Sequence, residues 1–295
     1  MFLTIYAAVL TTILGLPIAF ILFKVVKRNT KPKETVLLKP DFERDTVYLI
    51  QFPVSPSSRT ISPFSLKVES WLRLNNIKYE NIHTLKFGPK GQIPYIELNG
   101  EQIPDSNVII ERLEEKFGVQ RFAGEVTAEQ RAAAHALTVM LENHTAIAGF
   151  HWRYGRNMDA FLEVAAKYYP QSGLKFWRLV QPYMTRFKTV MHGLGRHEYH
   201  EIDAFSCKDL KAVSEFLGEK TFLLGGTEPT LLDCTVFAHL SQFLYIPLPF
   251  PQKAFMKSEC RNLVEYVDRV RDRIWPDWEE ACKKEAMEPK IMEDS

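Results

Sequence analysis

The pattern of apolar and polar positions divides this chain into three regimes. From Phe2 to Phe23 no charged residue occurs, a run of roughly 22 residues, long enough for a helix to cross a ~30 Å hydrocarbon core. Gly15 and Pro17 lie inside it, and membrane helices tolerate both better than soluble helices do. Lys24, Lys27, Arg28, Lys31 and Lys33 follow at once, so the positive-inside rule puts the remainder of the chain on the cytosolic side. A cleaved signal would need a basic start and a small-x-small site, and neither is evident. The reading is a single-pass transmembrane anchor over 2–23, then a basic linker over 24–44 that contains Pro32 and Pro40.

The second regime alternates short apolar runs with one helical period at a time. Thr46 to Phe52 is a continuous apolar strand of the kind buried inside a sheet. After a loop rich in proline and serine, Ser62 is placed as an N-cap and Pro63 as the first helical residue. Leu66, Val68, Trp71 and Leu72 then form the buried side of that helix. Lys78 to Ile82 reads as a second strand. Tyr95 to Leu98, the turn Asn99-Gly100 and the pair Gln102-Ile103 read as a hairpin. Val108, Ile109, Leu113 and Phe117 carry helical spacing, with Ser106 as the expected N-cap. Strand, helix, strand, hairpin and helix make a small thioredoxin-like α/β domain over 45–118.

Beyond Gly118 the period is helical. Thr127–Leu141, Tyr183–Met191, Asp209–Leu217 and Cys234–Leu244 read as helices, and Thr230 to Asp233 forms a capping box ahead of the last. Pro247 to Pro251 breaks the chain before a final helical region, Cys260 to Lys284. The result is an all-α domain over 127–284 with a polar tail over 285–295.

Composition adds limits. The chain has 295 residues with a net charge of +1 and no basic stripe with interleaved aromatics, which gives no argument for nucleic acid. Cys207, Cys234, Cys260 and Cys282 are widely spaced, which favours free thiols over a disulfide framework or a zinc site. His192, His197 and His200 with Glu198 and Glu201 lack the i, i+4 spacing of a metalloprotease site, so no metal is assigned and a solvated helix end is expected.

The candidate chemistry centres on Gly91 to Phe117. A proline at a strand start cannot donate to the ladder, and a cis Ile93–Pro94 bond would leave the main chain of residue 93 open to a ligand. A helix N-terminus beside it would hold a carboxylate. Together they suit an extended peptide with an acidic end. Gly149 to Tyr154, with Trp152 and Tyr154, would supply an acceptor pocket or simply core.

Ile93-Pro94 followed by Asp105-Ser106 and Ile109 resembles the glutathione site of the glutathione S-transferase superfamily. The capping box at Thr230 falls where that fold has one. The resemblance implies that the main chain of Ile93, ahead of Pro94, pairs with the cysteinyl backbone of glutathione. Asp105 and Ser106 would hold its γ-glutamyl end. Ser62, in Ser-Pro-Phe, stands where omega-like classes carry cysteine. It would donate to a glutathione thiolate but cannot form a mixed disulfide. Ser55, Ser57 and Ser58 are alternatives, and a cap alone is an equal reading of Ser62. Only Thr84 to Gln92 separates the second strand from Pro94, too few residues for the superfamily's second helix, so Lys86 or Lys90 would have to replace its contacts to the glycyl carboxylate.

With the anchor, these features are most similar to the failed axon connections family, which includes nematode cadmium-responsive proteins and is related to metaxins. That resemblance implies a glutathione transferase fold and links to detoxification of cadmium or to axon development. It also implies a homodimer or a metaxin-like protein partner. Two readings stand: a membrane-anchored glutathione S-transferase-like protein with glutathione as substrate or ligand, and a non-catalytic interaction module.

Overall fold

The computed structural model describes residues 36–53, 57–122, 124–165 and 174–287. The expected anchor, most of the linker and the tail after residue 287 lie outside the described residues. Among the described residues no helix is long and apolar enough to cross a membrane.

The sheet is built on β1 (Val47–Gln51), buried at every position as its unbroken apolar run requires. It pairs in parallel with β2 (Tyr79–His83), and antiparallel with β3 (Tyr95–Leu98), which turns through Asn99-Gly100 into β4 (Glu101–Pro104). The strand order is β2-β1-β3-β4. Asn99 and Gly100 both have positive φ, the geometry a tight hairpin requires. Helices α1 (Pro63–Leu74) and α2 (Ser106–Phe117) meet one face of the sheet, where Val47, Leu49, Ile96 and Ile103 join Leu66, Trp71, Ile109 and Leu113 in one core.

The other face holds a finding that the linker reading missed. No helix lies between β2 and β3 among the described residues, and residues 38–43 lie across the sheet as a strap instead. The main-chain N–H groups of Leu38 and Lys39 donate to the Glu97 carboxylate at 2.8 and 2.9 Å, and Gln102 Nε2 donates to it at 2.8 Å. Glu43 N–H donates to the Tyr48 hydroxyl at 2.9 Å. Loop 84–92 covers the rest of this face. A Cβ on Gly88 would come within 2.6 Å of the Tyr95 ring, so only glycine lets the loop pass this close. Glu97 and Tyr95 are buried as a result, and burial pushes the Tyr95 hydroxyl up to about 12.

The helical part begins with α3 (Ala128–Met140), α4 (Ala146–Phe150) and two π turns, at Leu141–Thr145 and His151–Arg156. It continues through α5 (Met158–Ala165), α6 (Leu174–His192), α7 (Tyr199–Leu217) and α8 (Leu231–Leu244). α9 (Pro251–Glu259), α10 (Arg261–Ile274) and α11 (Trp278–Met287) complete it. Three expectations need correction. α6 runs through Pro182 rather than starting after it, and α7 begins ten residues earlier than its apolar period suggests, at a capping box from Glu198 to Glu201. The final helical region is two helices, parted at Trp275-Pro276, and α9 precedes them.

α8 is the pivot of the helical part, buried continuously from Leu232 to Phe243. Asp233 starts it, fully buried. It accepts from Thr230 N–H at 2.7 Å, Leu223 N–H at 2.9 Å and the Tyr266 hydroxyl at 2.7 Å. One carboxylate thus satisfies a cap, a loop and a neighbouring helix, as the capping box anticipated. The other side of α8 packs along α1, which fixes the start of α1 in place.

Candidate functional site

The β3–β4 register sets Tyr95 opposite Pro104, so Ile93-Pro94 and Asp105 emerge side by side from neighbouring strands. The Ile93–Pro94 peptide is cis, and the β1–β3 ladder starts only at Tyr95. Asp105 has φ of 80°, a left-handed conformation uncommon for a residue with a side chain. Such outliers cluster at binding sites because the surrounding structure must hold them. Asp105, not Ser106, caps α2: its Oδ1 accepts from Asn107 N–H at 3.0 Å and Val108 N–H at 3.5 Å. A carboxylate reaches both first-turn donors from the left-handed backbone, leaving Ser106 as a buried first helical residue. Oδ2 of Asp105 accepts no hydrogen bond from the described residues. The edge therefore presents one carboxylate oxygen beside the positive end of a helix dipole.

Behind this edge is a buried ion pair that sequence reasoning did not find. Lys67 of α1 donates to Glu142 at 2.5 Å and to Asn107 Oδ1 at 2.8 Å, and Asn107 Nδ2 donates to the other oxygen of Glu142 at 2.7 Å. Burial pushes the Lys67 ammonium down, opposed by the Glu142 carboxylate. The three side chains come from α1, α2 and the first π turn, so they tie the α2 N-terminus to the helical part. The only signal in sequence was a lysine at an apolar position of α1.

Ser62 caps α1 as expected, its Oγ accepting from Ser65 N–H at 3.3 Å. It is 5% exposed. One lone pair is committed to the cap, and the hydroxyl proton stays available to a ligand atom. The preceding turn is gripped from the helical part: Arg153 donates to Ile61 O at 2.8 Å, and Gln242 to Thr60 O at 3.2 Å. Ser58 is buried and donates to Thr60 O at 2.8 Å, which makes it structural; Ser57 is described but Ser55 is not.

Of the expected acceptor residues, Trp152 is a buried core side chain whose ring lies tilted against Phe250 at 4.5 Å, which removes it from any pocket. Tyr154 is half-buried and ends a row of aromatic rings, Phe64, Phe150 and Tyr154, spaced 6.3 and 6.0 Å apart. That row starts two residues after Ser62. Phe150 lies inside the expected Gly149–Tyr154 stretch, whereas Phe64 is the member the sequence reading missed, because helical aromatics alternate between core and surface without any local mark. His239 meets the Phe64 ring edge at 5.5 Å, and burial pushes it down to about 4.

Lys86 and Lys90 are exposed in loop 84–92. Burial pushes the Cys207 thiol up to about 11 and the Cys234 thiol still further, so neither is a nucleophile near neutral pH. The histidine cluster sits where α7 begins, with His197 Nδ1 3.8 Å from Glu201. Among the described residues no three histidine, cysteine or acidic side chains are placed to share a metal.

The fold and this edge define the class: an α/β thioredoxin-like domain joined to a helical domain in the glutathione S-transferase manner. Residues 63–161 match the glutathione S-transferase N-terminal domain family and residues 206–270 the C-terminal domain family. Within that class the chain belongs to the failed axon connections family of metaxin-related proteins. It is 41% identical over 261 residues to Failed axon connections of Drosophila melanogaster, covering 83% of this chain and 62% of that protein. The chain thus spans less than two thirds of this relative's length. It is 27% identical to an isoprene-epoxide glutathione S-transferase of Rhodococcus, over 72% of this chain and 92% of that one. A metaxin-1 homolog of Caenorhabditis briggsae is 26% identical, over 70% and 66%. Among solved structures, a glutathione-bound transferase of Methylobacillus flagellatus overlays with a TM-score of 0.52 at 16% identity, over 81% of this chain and 98% of that chain. Rice GST1 in complex with glutathione gives 0.52 at 14%, over 78% and 89%. These overlays speak for the fold.

Proposed function

We propose that this protein is a membrane-anchored, cytosol-facing member of its family that binds glutathione, or a related γ-glutamyl thiol, at the Pro94–Asp105 edge. The observation that carries the reading is the position of Asp105, at a φ of 80° on the N-terminus of α2, beside Ile93-Pro94 where the β3–β4 ladder ends. The γ-glutamyl end of glutathione carries an ammonium and a carboxylate. Asp105 Oδ2 suits the first, and Ser106 with the α2 N-terminus suits the second. The main chain of Ile93 would pair with the cysteinyl backbone, bringing the sulfur toward Ser62. There the hydroxyl would stabilise a thiolate, and Phe64, Phe150 and Tyr154 would face an apolar electrophile. The anchor over 2–23 and a role in handling cadmium or electrophilic stress through glutathione belong to this proposal.

A second reading, a non-catalytic module for a protein partner, is favoured by the 5% exposure and capping role of Ser62 and by the absence of the second helix. Calorimetric titration separates the two. The full chain should bind glutathione in the micromolar to low-millimolar range, and Asp105→Asn, which keeps the cap, should weaken it roughly tenfold, about 1.4 kcal/mol. Conjugation that falls in Ser62→Ala while binding persists supports the transferase reading. Binding without conjugation leaves the module.

A further inference from the structure

α6 leaves a face uncovered that its neighbours do not use. Phe176, Leu179, Tyr183, Phe187 and Met191 recur at three- and four-residue spacing, and each is between 65% and 69% exposed. Trp177, Met184 and Val190 widen the stripe. An apolar face of this size on a surface helix marks a docking surface.

Charge decides the occupant. α6 contains Lys175, Arg178, Arg186 and Lys188 and no acidic residue. By helical geometry Lys175 and Arg186 border the stripe on one side and Lys188 on the other. Lys175 and Lys188 have no ion pair among the described residues. On the Lys175 side opens a cavity of about 490 Å³, lined by Arg156, Lys175, Arg178 and Arg186 against one carboxylate, Asp159. Asp159 pairs with Arg178 at 2.7 Å, and Arg156 pairs with Asp203 at 2.9 Å. Among the described residues Arg186 has no carboxylate partner and donates to a main-chain oxygen, that of Gly155. The cavity keeps a positive surplus. A second copy docked about a two-fold axis would bring the same basic flanks together. An anionic bilayer offers apolar depth for the stripe and phosphate for its borders.

We propose that α6 is an interfacial helix that lies on an anionic phospholipid surface, with its aromatic stripe inserted and a headgroup phosphate in the basic cavity. This stands independently of the thiol site. The helical domain is thereby laid flat on the membrane surface.

The test is hydrogen exchange at the amides of 174–192 in the full chain, held in vesicles of phosphatidylcholine alone or with phosphatidylserine added. Exchange in α6 should slow roughly tenfold or more on the anionic vesicles, and high salt should reverse part of it. Phe176→Ser/Tyr183→Ser/Phe187→Ser should abolish the slowing, and Lys175→Glu/Lys188→Glu should abolish its preference for anionic lipid. All five side chains are exposed, and unchanged exchange in α8 confirms the fold. Equal exchange in both vesicle types overturns the proposal. So does protection that follows protein density in neutral lipid, which would assign the face to a second copy.

Discussion

Asp105 caps α2 from a left-handed backbone, and the same geometry leaves its second carboxylate oxygen free for the ligand role we propose. Lys67 shows the opposite economy: a buried charge whose surroundings leave it no alternative partner beyond Glu142 and Asn107. Removing one member of such a pair leaves the other charged and buried. Lys67→Met should therefore destabilise the fold by about 3–5 kcal/mol, whereas Lys67→Met/Glu142→Leu should recover most of the loss. Urea unfolding of the single and double variants measures this coupling. His239 supplies a pH term. Its folded value is near 4 against 6.5 for the free side chain, so the unfolded chain binds the proton more readily between those limits. Stability from this group is present above pH 6.5 and is lost as pH falls toward 4. At pH 4.5 the loss amounts to roughly 2–3 kcal/mol. The decline in unfolding free energy from pH 7 to pH 4.5, measured by urea unfolding, should be smaller in His239→Gln by that amount.

At the scale of elements, the strap is the departure with the clearest consequence. A sheet face that has lost a helix must still be buried, and residues 38–43 with loop 84–92 cover it using main-chain donors on Glu97. Glu97→Ala should leave the amides of Leu38 and Lys39 without their acceptor, at a cost of about 1–3 kcal/mol. Their hydrogen exchange should speed up roughly tenfold or more while α1 exchange changes little. The strap explains what the sequence could and could not show. β1, the hairpin, α1, α2 and the capping box at Thr230 announce themselves through local chemistry: apolar runs, Asn-Gly, Ser-Pro, Asp-Ser and Thr-x-x-Asp. Residues 38–43 have no such mark, because their order comes from Glu97, some 58 positions away. Lys67, Glu142 and Asn107 were hidden for the same reason, being spread over three elements that only the fold brings together. Ser106 was misplaced by a single residue, since serine and aspartate both cap and only the backbone angle decides between them.

At the scale of the whole molecule, the α/β and helical domains are joined by contacts that leave little freedom between them. The Trp275 ring lies between Arg73 at 4.1 Å and Arg59 at 5.3 Å, and its Nε1–H donates to Ser70 at 2.9 Å. Arg59 also donates to Ala281 O at 2.8 Å and pairs with buried Glu69 at 2.7 Å. The Ser62 turn and the α2 N-terminus are held by the same joint, through Arg153 and through Lys67. The candidate site is therefore preorganised by the association of the domains, which a ligand-binding edge requires and a single short motif could not supply.

The central claim is that the Pro94–Asp105 edge recognises a γ-glutamyl group. The most direct test compares titration of glutathione with titration of cysteinylglycine, which lacks that group, into the full chain. Glutathione binding should be saturable and cysteinylglycine at least roughly tenfold weaker, with the difference erased in Asp105→Asn. Equal affinity for the two thiols, or no heat from glutathione at several millimolar, would contradict it.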